Sequence, residues 1–169
     1  MAMKQKIGMV AVGQTPRTDV LSVMRPMVGE NVEILEKGVL DGLSPEEIGA
    51  LGPEPGMTTI ATRLADGTQV KLGEEKLLPT IQTKITELNR DRVELIVLLC
   101  TGHFPSFESE CPVLESQKIV DHCVAALVRP EDRLGVLVPL AEQMNAAREH
   151  LLHISRDVVA VSAAAFGPL

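Results

Sequence analysis

The sequence predicts an α/β protein built on a mainly parallel β-sheet flanked by helices. Short apolar runs of strand length alternate with stretches whose apolar residues recur every three to four positions, as on one face of a helix. The run at residues 93–100 (VELIVLLC) is almost wholly apolar, which is typical of a central parallel strand covered on both faces. Hydrophobic residues make up 45% of the 169 residues, which is enough to supply a packed core.

The chain begins with a predicted strand followed by a helix. Residues 7–12 (IGMVAV) form a short apolar run that ends at Gly13. Thr15 stands where a side-chain cap is expected, and Pro16 occupies the first helical position, where its missing N–H is not needed. Pro26 is predicted to kink or end this helix, because proline cannot donate the helical hydrogen bond.

The next segment is predicted to contain a strand, a short helix and a hairpin. Residues 32–39 (VEILEKGV) have the composition of a second strand. Residues 44–47 (SPEE) carry a capping box, in which a serine and a glutamate cap one helix N-terminus. Residues 58–72 form two strand-like arms around Asp66-Gly67, which is a strong hairpin signal. This hairpin is an insertion of the kind that can flank a cleft.

The rest of the chain continues the alternation of helices and strands. The predicted elements are a helix at residues 74–89, the strand at 93–100, a short strand near 113–114, a helix at 117–128, a strand at 134–140, a helix at 141–153 and a strand at 158–163. The apolar residues of helix 117–128, and Cys123 with them, are predicted to face inward. We therefore predict a first α/β half-domain, residues 1–130, and a partial second half-domain, residues 131–169.

Composition and charge exclude several classes of function. The formal net charge is −7 and charges of both signs are interspersed, whereas a nucleic-acid groove needs clustered Lys and Arg. The apolar runs are far shorter than the roughly 20 residues of a membrane-spanning helix, and residues 1–12 do not resemble a signal peptide. The three cysteines form no CxxC pair, so reduced thiols in the cytoplasm are expected. We expect neither a nucleic acid nor a membrane as partner.

No cofactor and no metal site is predicted. The segment GQTPR at residues 13–17 is neither a dinucleotide-binding nor a Walker glycine motif. His150 and His153 are three residues apart on a predicted helix, a spacing that can suit a metal. No Cys, Asp or Glu stands at a matching spacing, so a solvated helix face is the expected place of these histidines.

Two segments should lie at the ligand-binding edge of the sheet, because ligands of parallel α/β sheets bind beyond the carboxyl ends of the strands. The first runs from Gly13 to Arg17 and offers helix N-terminal amides, the Thr15 hydroxyl and a cation, a combination that suits a carboxylate or phosphate. Alternatively, Thr15 and Pro16 only start a helix and Arg17 pairs with a surface acid.

The second segment is Cys100-Thr101-Gly102-His103, at the end of the apolar strand. A cysteine acts as a nucleophile or base only as the thiolate, so its neighbours must lower its pKa from about 8.5. Backbone amides, Thr101 and His103 are the candidates for that role. Alternatively, Cys100 is a small apolar residue of the core and His103 lies on the loop surface.

Taken together, these segments resemble the AroM family. The resemblance spans nearly the whole chain, and its GQxPRxD core at residues 13–19 is more specific than its LLCTG stretch at residues 98–102. The matching stretches are residues 7–20 (IGMVAVGQTPRTDV), 38–48 (GVLDGLSPEEI), 62–82 (TRLADGTQVKLGEEKLLPTIQ), 93–105 (VELIVLLCTGHFP) and 134–143 (LGVLVPLAEQ).

AroM-like proteins look like members of the aspartate/glutamate racemase superfamily, whose fold pairs two similar α/β halves around the ligand. Its enzymes use one cysteine from each half as opposed acid–base groups across a substrate Cα. The resemblance implies that Cys100 is the first-half cysteine, that Thr101 and Gly102 hold a substrate carboxylate, and that residues 13–17 line the same cleft. Family members usually continue to a second-half cysteine, whereas no cysteine follows Cys123 here.

The resemblance therefore implies a cofactor-independent racemase-like or isomerase-like enzyme that acts on a small carboxylate through Cys100. The alternative is a non-catalytic binder of a small anionic metabolite. The predicted substrate-binding residues are Gly13, Gln14, Thr15, Arg17, Thr101, Gly102 and His103. No helix is predicted after the last strand, so we expect either a homo-oligomer in which another copy closes that edge, or a shortened chain.

Overall fold

The computed structural model describes residues 4–164, which form eight strands and five α-helices. The strands are β1 Gln5–Ala11, β2 Val32–Gly38, β3 Thr59–Arg63, β4 Gln69–Gly73, β5 Leu95–Leu99, β6 Val113–Glu115, β7 Arg133–Val138 and β8 Asp157–Ser162. The helices are α1 Thr18–Val28, α2 Pro45–Ala50, α3 Glu74–Arg90, α4 Ser116–Leu127 and α5 Met144–Leu151, and a 3-10 turn, Ala141–Gln143, precedes α5.

The centre of the fold is a four-stranded, entirely parallel sheet in the order β2-β1-β5-β6. Alternate residues of its strands enter two apolar clusters, one on each face. The fully buried stripe of α3 packs on one face; its residues are Leu77, Ile81, Ile85 and Leu88. Leu21 of α1 packs with Met9 and Ile34 on the other. The predicted α/β class, with a mainly parallel sheet flanked by helices, is confirmed.

The hairpin and the short helix before it are also confirmed. Strands β3 and β4 pair antiparallel, from Thr59 opposite Gly73 to Arg63 opposite Gln69. Ser44 caps α2 in the predicted capping box with Glu47. These elements lie beside the carboxyl end of β1, because Ala65 in the hairpin turn donates to the side chain of Gln14.

The stabilising effect of the α2 capping box can be measured directly. The Ser44 hydroxyl accepts the Glu47 N–H at 3.3 Å, and the Glu47 carboxylate accepts the Ser44 N–H at 2.7 Å. Ser44→Ala is expected to lower the free energy of unfolding by about 1 kcal/mol. Urea denaturation measures this, with the exposed loop residue Ser106 changed to alanine as the control. Equal losses in the two variants would show that the box does not stabilise the fold.

The predicted start of α1 is wrong. The helix begins at Thr18, with Arg17 and not Thr15 at the N-cap. Thr15 lies two residues before this N-cap, and its backbone N–H and hydroxyl instead donate to the carboxylate of Asp41, at 2.8 and 2.6 Å. The helix also does not end at Pro26, because Pro26 lies within it and it continues to Val28; a kink at Pro26 stays a prediction.

The prediction that helix 117–128 buries its apolar residues is wrong. Helix α4 has no buried residue, Cys123 is exposed, and Leu127 is 83% exposed. Only the flank with Val124 and Val128 packs partly against the cluster formed by α5 and β8. The period of the apolar residues placed them together on one face but carried no information about whether an element covers that face.

The C-terminal strands form a sheet of their own. Strands β7 and β8 pair in parallel, and α5 covers one face through Leu151. The other face is open, and Leu137 on it is 66% exposed, so the predicted strand at residues 134–140 is covered on one face only. Closure of this unit by another copy of the chain stays a prediction, and so does the division of the chain at residue 130.

Among residues 4–164, every helix is too short or too polar to cross a lipid bilayer.

Candidate functional site

The two predicted ligand-binding segments follow adjacent parallel strands. Strands β1 and β5 are paired up to Ala11 opposite Leu99. Gly13 and Cys100 therefore follow these strands at the same edge of the sheet. This is the edge at which parallel α/β sheets bind their ligands.

Cys100 lies half-buried at the end of β5, packed against the main core cluster. The backbone N–H of Gly102 points at the sulfur, 3.4 Å from Sγ, and the N–H of Thr101 also donates to it. Burial raises the pKa of the Cys100 thiol to about 11, the two amides act against this rise, and the nearby negative charge of Glu74 adds to it. The surroundings therefore do not lower the thiol pKa as the sequence led us to expect, and a neutral thiol is the resting form.

Glu74, the first residue of α3, brings a carboxyl group to the same place. Burial raises the pKa of Glu74 to about 7, repulsion from Glu75 adds to the rise, and a hydrogen bond from the backbone N–H of His103 opposes it. Gly102 lies against this carboxyl: a Cβ on Gly102 would be 3.0 Å from Glu74 Oε2 and 2.9 Å from the ring of Phe104. The glycine thus lets the sulfur and the carboxyl group approach one stretch of backbone.

His103 does not turn its ring toward the thiol but toward α4 and α5. Its imidazole stacks on that of His150, with ring centroids 3.7 Å apart, and its Nε2 is 3.6 Å from Asp121 Oδ2. Burial lowers the pKa of His103, and the neighbouring His150 lowers it further. The His150 side chain is 34% exposed, and its Nε2 is 2.8 Å from Asp121 Oδ2, so an acid from another helix contacts the face on which we expected only solvent.

Gly13, Gln14 and Thr15 hold neighbouring loops in place. The Gln14 side chain accepts the Ala65 N–H at 2.9 Å and donates to the Leu40 carbonyl at 3.4 Å. Gly13 is buried directly beneath the hairpin, with the Arg63 carbonyl next to its Cα. These contacts are structural, and a further role of these residues in ligand binding stays a prediction.

Arg17 pairs with an acid, as the alternative reading expected. Its Nε and Nη2 donate to the carboxylate of Asp19 at 2.9 and 2.8 Å, and Arg63 Nη2 lies 3.4 Å from the same carboxylate. A cavity of about 260 Å³ opens beside these two guanidinium groups, and a more apolar one of about 600 Å³ lies between α2 and the hairpin. Gln14 lines both cavities and Cys100 lines neither.

The comparison with known families decides the identity of the chain. The model of the family described as AroM protein matches residues 7–168. The chain belongs to the AroM family. The resemblance drawn from the strand-end motifs is thereby confirmed, and the match includes Cys100, Glu74 and Arg17. No curated protein and no solved structure matches this AroM protein.

The sequence analysis did not identify two acidic residues near the carboxyl edge of the sheet, Glu74 and Asp121. Glu74 is the first residue after a hairpin and the first of a helix, and this position is the signal that it lies near the strand ends. Asp121 lies on α4, 29 residues before His150. No local spacing rule links these two residues, so the sequence carried no signal for their contact.

The Asp19 carboxylate predicts how stability depends on acid. The hydrogen bond from Arg17 lowers the pKa of Asp19 to about 2, below that of an ordinary aspartate, although burial acts in the opposite direction. A lowered folded-state pKa stabilises the protein above about pH 4, and this stabilisation is lost as the pH falls toward 2. Between neutral pH and pH 3, the wild type should therefore lose about 0.5–1 kcal/mol more than Asp19→Asn, a figure reduced for solvent screening.

Denaturation curves at several pH values measure this difference, and 1 M NaCl should shrink it because salt screens exposed charges. Parallel acid profiles for the two proteins would show that the Arg17 pair contributes nothing to stability.

Proposed function

We propose that this AroM protein is a cofactor-independent proton-transfer enzyme of the racemase or isomerase type, acting on a small carboxylate through Cys100. The proposal rests on the position and the contacts of the Cys100 sulfur. Sγ lies at the carboxyl edge of the parallel sheet, two backbone amides point at it, and the Glu74 carboxyl group acts on it. The likeness of AroM-like proteins to the aspartate/glutamate racemase superfamily supports the same reaction class.

The neighbours of Cys100 supply the parts that a thiol base needs. Ionised Glu74 is the proposed acceptor of the thiol proton, so that an S–H bond breaks and a carboxyl O–H bond forms. Because the Glu74 pKa of about 7 is below the Cys100 pKa of about 11, this transfer is unfavourable at rest and the thiolate is a minor, reactive form. The Thr101 and Gly102 amides stabilise the thiolate, as an oxyanion hole stabilises an oxyanion. A thiolate whose conjugate acid has a pKa of about 11 is a strong base, which suits removal of the weakly acidic hydrogen beside a carboxylate.

Cys100 alone accounts for chemistry on one face of a substrate. The thiolate takes a proton from carbon and the resulting thiol returns one, with exchange against solvent between the two steps. Inversion at carbon requires a second acid on the opposite face. The other two cysteines are not assigned the role of this second acid: Cys123 is exposed on α4, and Cys111 Sγ is 3.6 Å from Asn89 Oδ1. Exchange of an α-hydrogen is therefore the first activity to expect.

Incubation with a panel of small amino and hydroxy acids in deuterated water tests the proposal. Proton NMR follows loss of the α-hydrogen signal. Wild-type protein should exchange at least one acid, Cys100→Ser should exchange it roughly 100-fold more slowly or not at all, and the matched variant Cys123→Ser should behave as wild type. Absence of exchange across the panel, or equal exchange by Cys100→Ser, would overturn the assignment.

A non-catalytic anion binder is the second candidate, and a different observation favours it. The cavity of about 260 Å³ is bordered by the guanidinium groups of Arg17 and Arg63, which are donors suited to a carboxylate, and also by the carboxylates of Asp19 and Asp66, which balance their charge. Thermal shift with small carboxylates tests this. If the protein is an anion binder, the carboxylate should raise the melting temperature of the wild type and of Cys100→Ser, but not that of Arg17→Gln. A gain that survives Arg17→Gln would place the anion elsewhere.

A further inference from the structure

Three side chains with metal-binding chemistry meet near the candidate site. His103 comes from the loop after β5, Asp121 from α4 and His150 from α5. One potential ligand atom from each residue lies within 4.8 Å of the other two. Asp121 lies between the two histidines, because its Oδ2 is 2.8 Å from His150 Nε2 and 3.6 Å from His103 Nε2.

Hydrogen bonding explains only part of this cluster. His150 is at hydrogen-bonding distance from Asp121, whereas 3.6 Å is too long for a hydrogen bond from His103. The two imidazole rings are also stacked at 3.7 Å, where two positive charges would repel each other. Neutral imidazoles have a lone pair on one ring nitrogen, and two of them beside a carboxylate form a donor set for a metal ion.

The distances are close to those of a coordination shell. Ligands bonded at about 2.0–2.1 Å to a tetrahedral ion lie roughly 3.3 Å from one another. The observed 2.8 and 3.6 Å bracket that value. The second oxygen of Asp121 accepts a hydrogen bond from Gln117 Nε2 at 2.7 Å, the kind of outer contact that holds a ligating carboxylate in position.

We propose that His103, Asp121 and His150 form a binding site for a divalent first-row transition ion such as Zn²⁺. Two imidazoles and one carboxylate favour such ions over Mg²⁺ and Ca²⁺, which prefer all-oxygen shells. Three protein ligands leave a coordination position for water, and the 46% exposure of the His103 side chain leaves that position open to solvent.

The ion would fasten the C-terminal unit to the central sheet. Helix α5 packs on β8, while α4 contacts β5 and β6. Two further polar contacts join the C-terminal part of the chain to the β3–β4 hairpin: Lys71 to Glu142 at 2.6 Å and Gln143 to the Thr59 carbonyl at 2.7 Å. A metal at His103, Asp121 and His150 adds a clamp that joins three elements, independently of proton transfer at Cys100.

Calorimetric titration of the chelator-treated full chain with Zn²⁺ tests the proposal. One ion should bind per chain and raise the melting temperature. His150→Ala and Asp121→Ala should each weaken binding by at least roughly 10-fold and remove the thermal gain. His122→Ala is the matched control, since His122 lies next to Asp121 on α4 but contacts the Lys118 carbonyl, and it should bind as wild type.

Co²⁺ identifies the ligands. Its near-ultraviolet spectrum should lack the thiolate charge-transfer band that a cysteine ligand would add. Cys100→Ser should bind the ion unchanged, which keeps this test separate from the proposed activity. If His150→Ala does not fold, His103→Ala at the half-exposed position gives the same answer. Absence of stoichiometric binding in wild type, or binding retained in His103→Ala and His150→Ala, overturns the proposal.

Discussion

Asp41→Ala is expected to lower the free energy of unfolding by about 3–5 kcal/mol. The Asp41 carboxylate accepts three hydrogen bonds, from the Thr15 N–H at 2.8 Å, the Thr15 hydroxyl at 2.6 Å and the Gly38 N–H at 2.7 Å. It thereby joins the loop after β1 to the end of β2. Each hydrogen bond to a charged group contributes about 1.5–3 kcal/mol, and bonds that share one carboxylate are not fully additive.

Urea denaturation of wild type, Asp41→Ala and Asp66→Ala measures this effect. Asp66 is the matched control, because its exposed carboxylate bonds within its own turn, where it accepts the Thr68 N–H at 2.8 Å, and its loss should cost much less than the loss of Asp41. Asp41→Asn should fall between wild type and Asp41→Ala, since an amide group turns one acceptor into a donor that faces the bound N–H groups. A loss below about 1 kcal/mol in Asp41→Ala would contradict the role given to this carboxylate.

Gly13→Ala is expected to cost about 2–3 kcal/mol, because there is no room for a side chain between β1 and the hairpin. A Cβ at this position would lie 2.5 Å from the Arg63 carbonyl oxygen and 2.7 Å from the Thr62 hydroxyl. The nearer of these atoms belongs to the backbone of β3, so relief requires the hairpin to move away from the end of β1. That movement would also disturb the hydrogen bond between Gln14 and Ala65.

Gly49→Ala provides the matched control. Gly49 lies in α2, and a Cβ there meets no atom within 4 Å. Alanine is the better helix former, so this change should be neutral or stabilising by about 0.5–1 kcal/mol. Thermal unfolding of the two glycine variants separates crowding from the general effect of adding a methyl group. Similar stability of both would mean that the hairpin does not press on Gly13.

The sequence predicts the parts of this fold that depend on local patterns. The apolar strand near Cys100, the hairpin at Asp66-Gly67 and the capping box at Ser44 are found where expected, because each follows from neighbouring residues. Thr15 behaves differently, since a carboxylate 26 residues further along the chain, Asp41, takes both of its donors. Tertiary partners at such separations leave no periodic trace in a sequence.

In the candidate site, the position of the residues could be predicted from the sequence but their electrostatic surroundings could not. Cys100 ends a run predicted to be a parallel strand, so its position at the carboxyl edge could be predicted from the sequence, and the sheet confirms it. Its electrostatics could not, because the raised pKa of Cys100 depends first on burial and also on Glu74, which comes from another part of the chain. Likewise, α4 carries an apolar stripe, but its exposure depends on what packs against it.

Alkylation of Cys100 by iodoacetamide, followed by peptide mass spectrometry, measures whether the sulfur at the sheet edge can be reached from solvent. We expect the folded protein to be labelled at Cys100 more slowly than at Cys123 at neutral pH. The labelling rate of Cys100 should rise steadily with pH and should fall when a substrate acid is present. The labelling rate of Cys123 should not change when that acid is added. A Cys100 that stays unlabelled until the protein unfolds would show that the sulfur is sealed in the core and cannot act on a substrate.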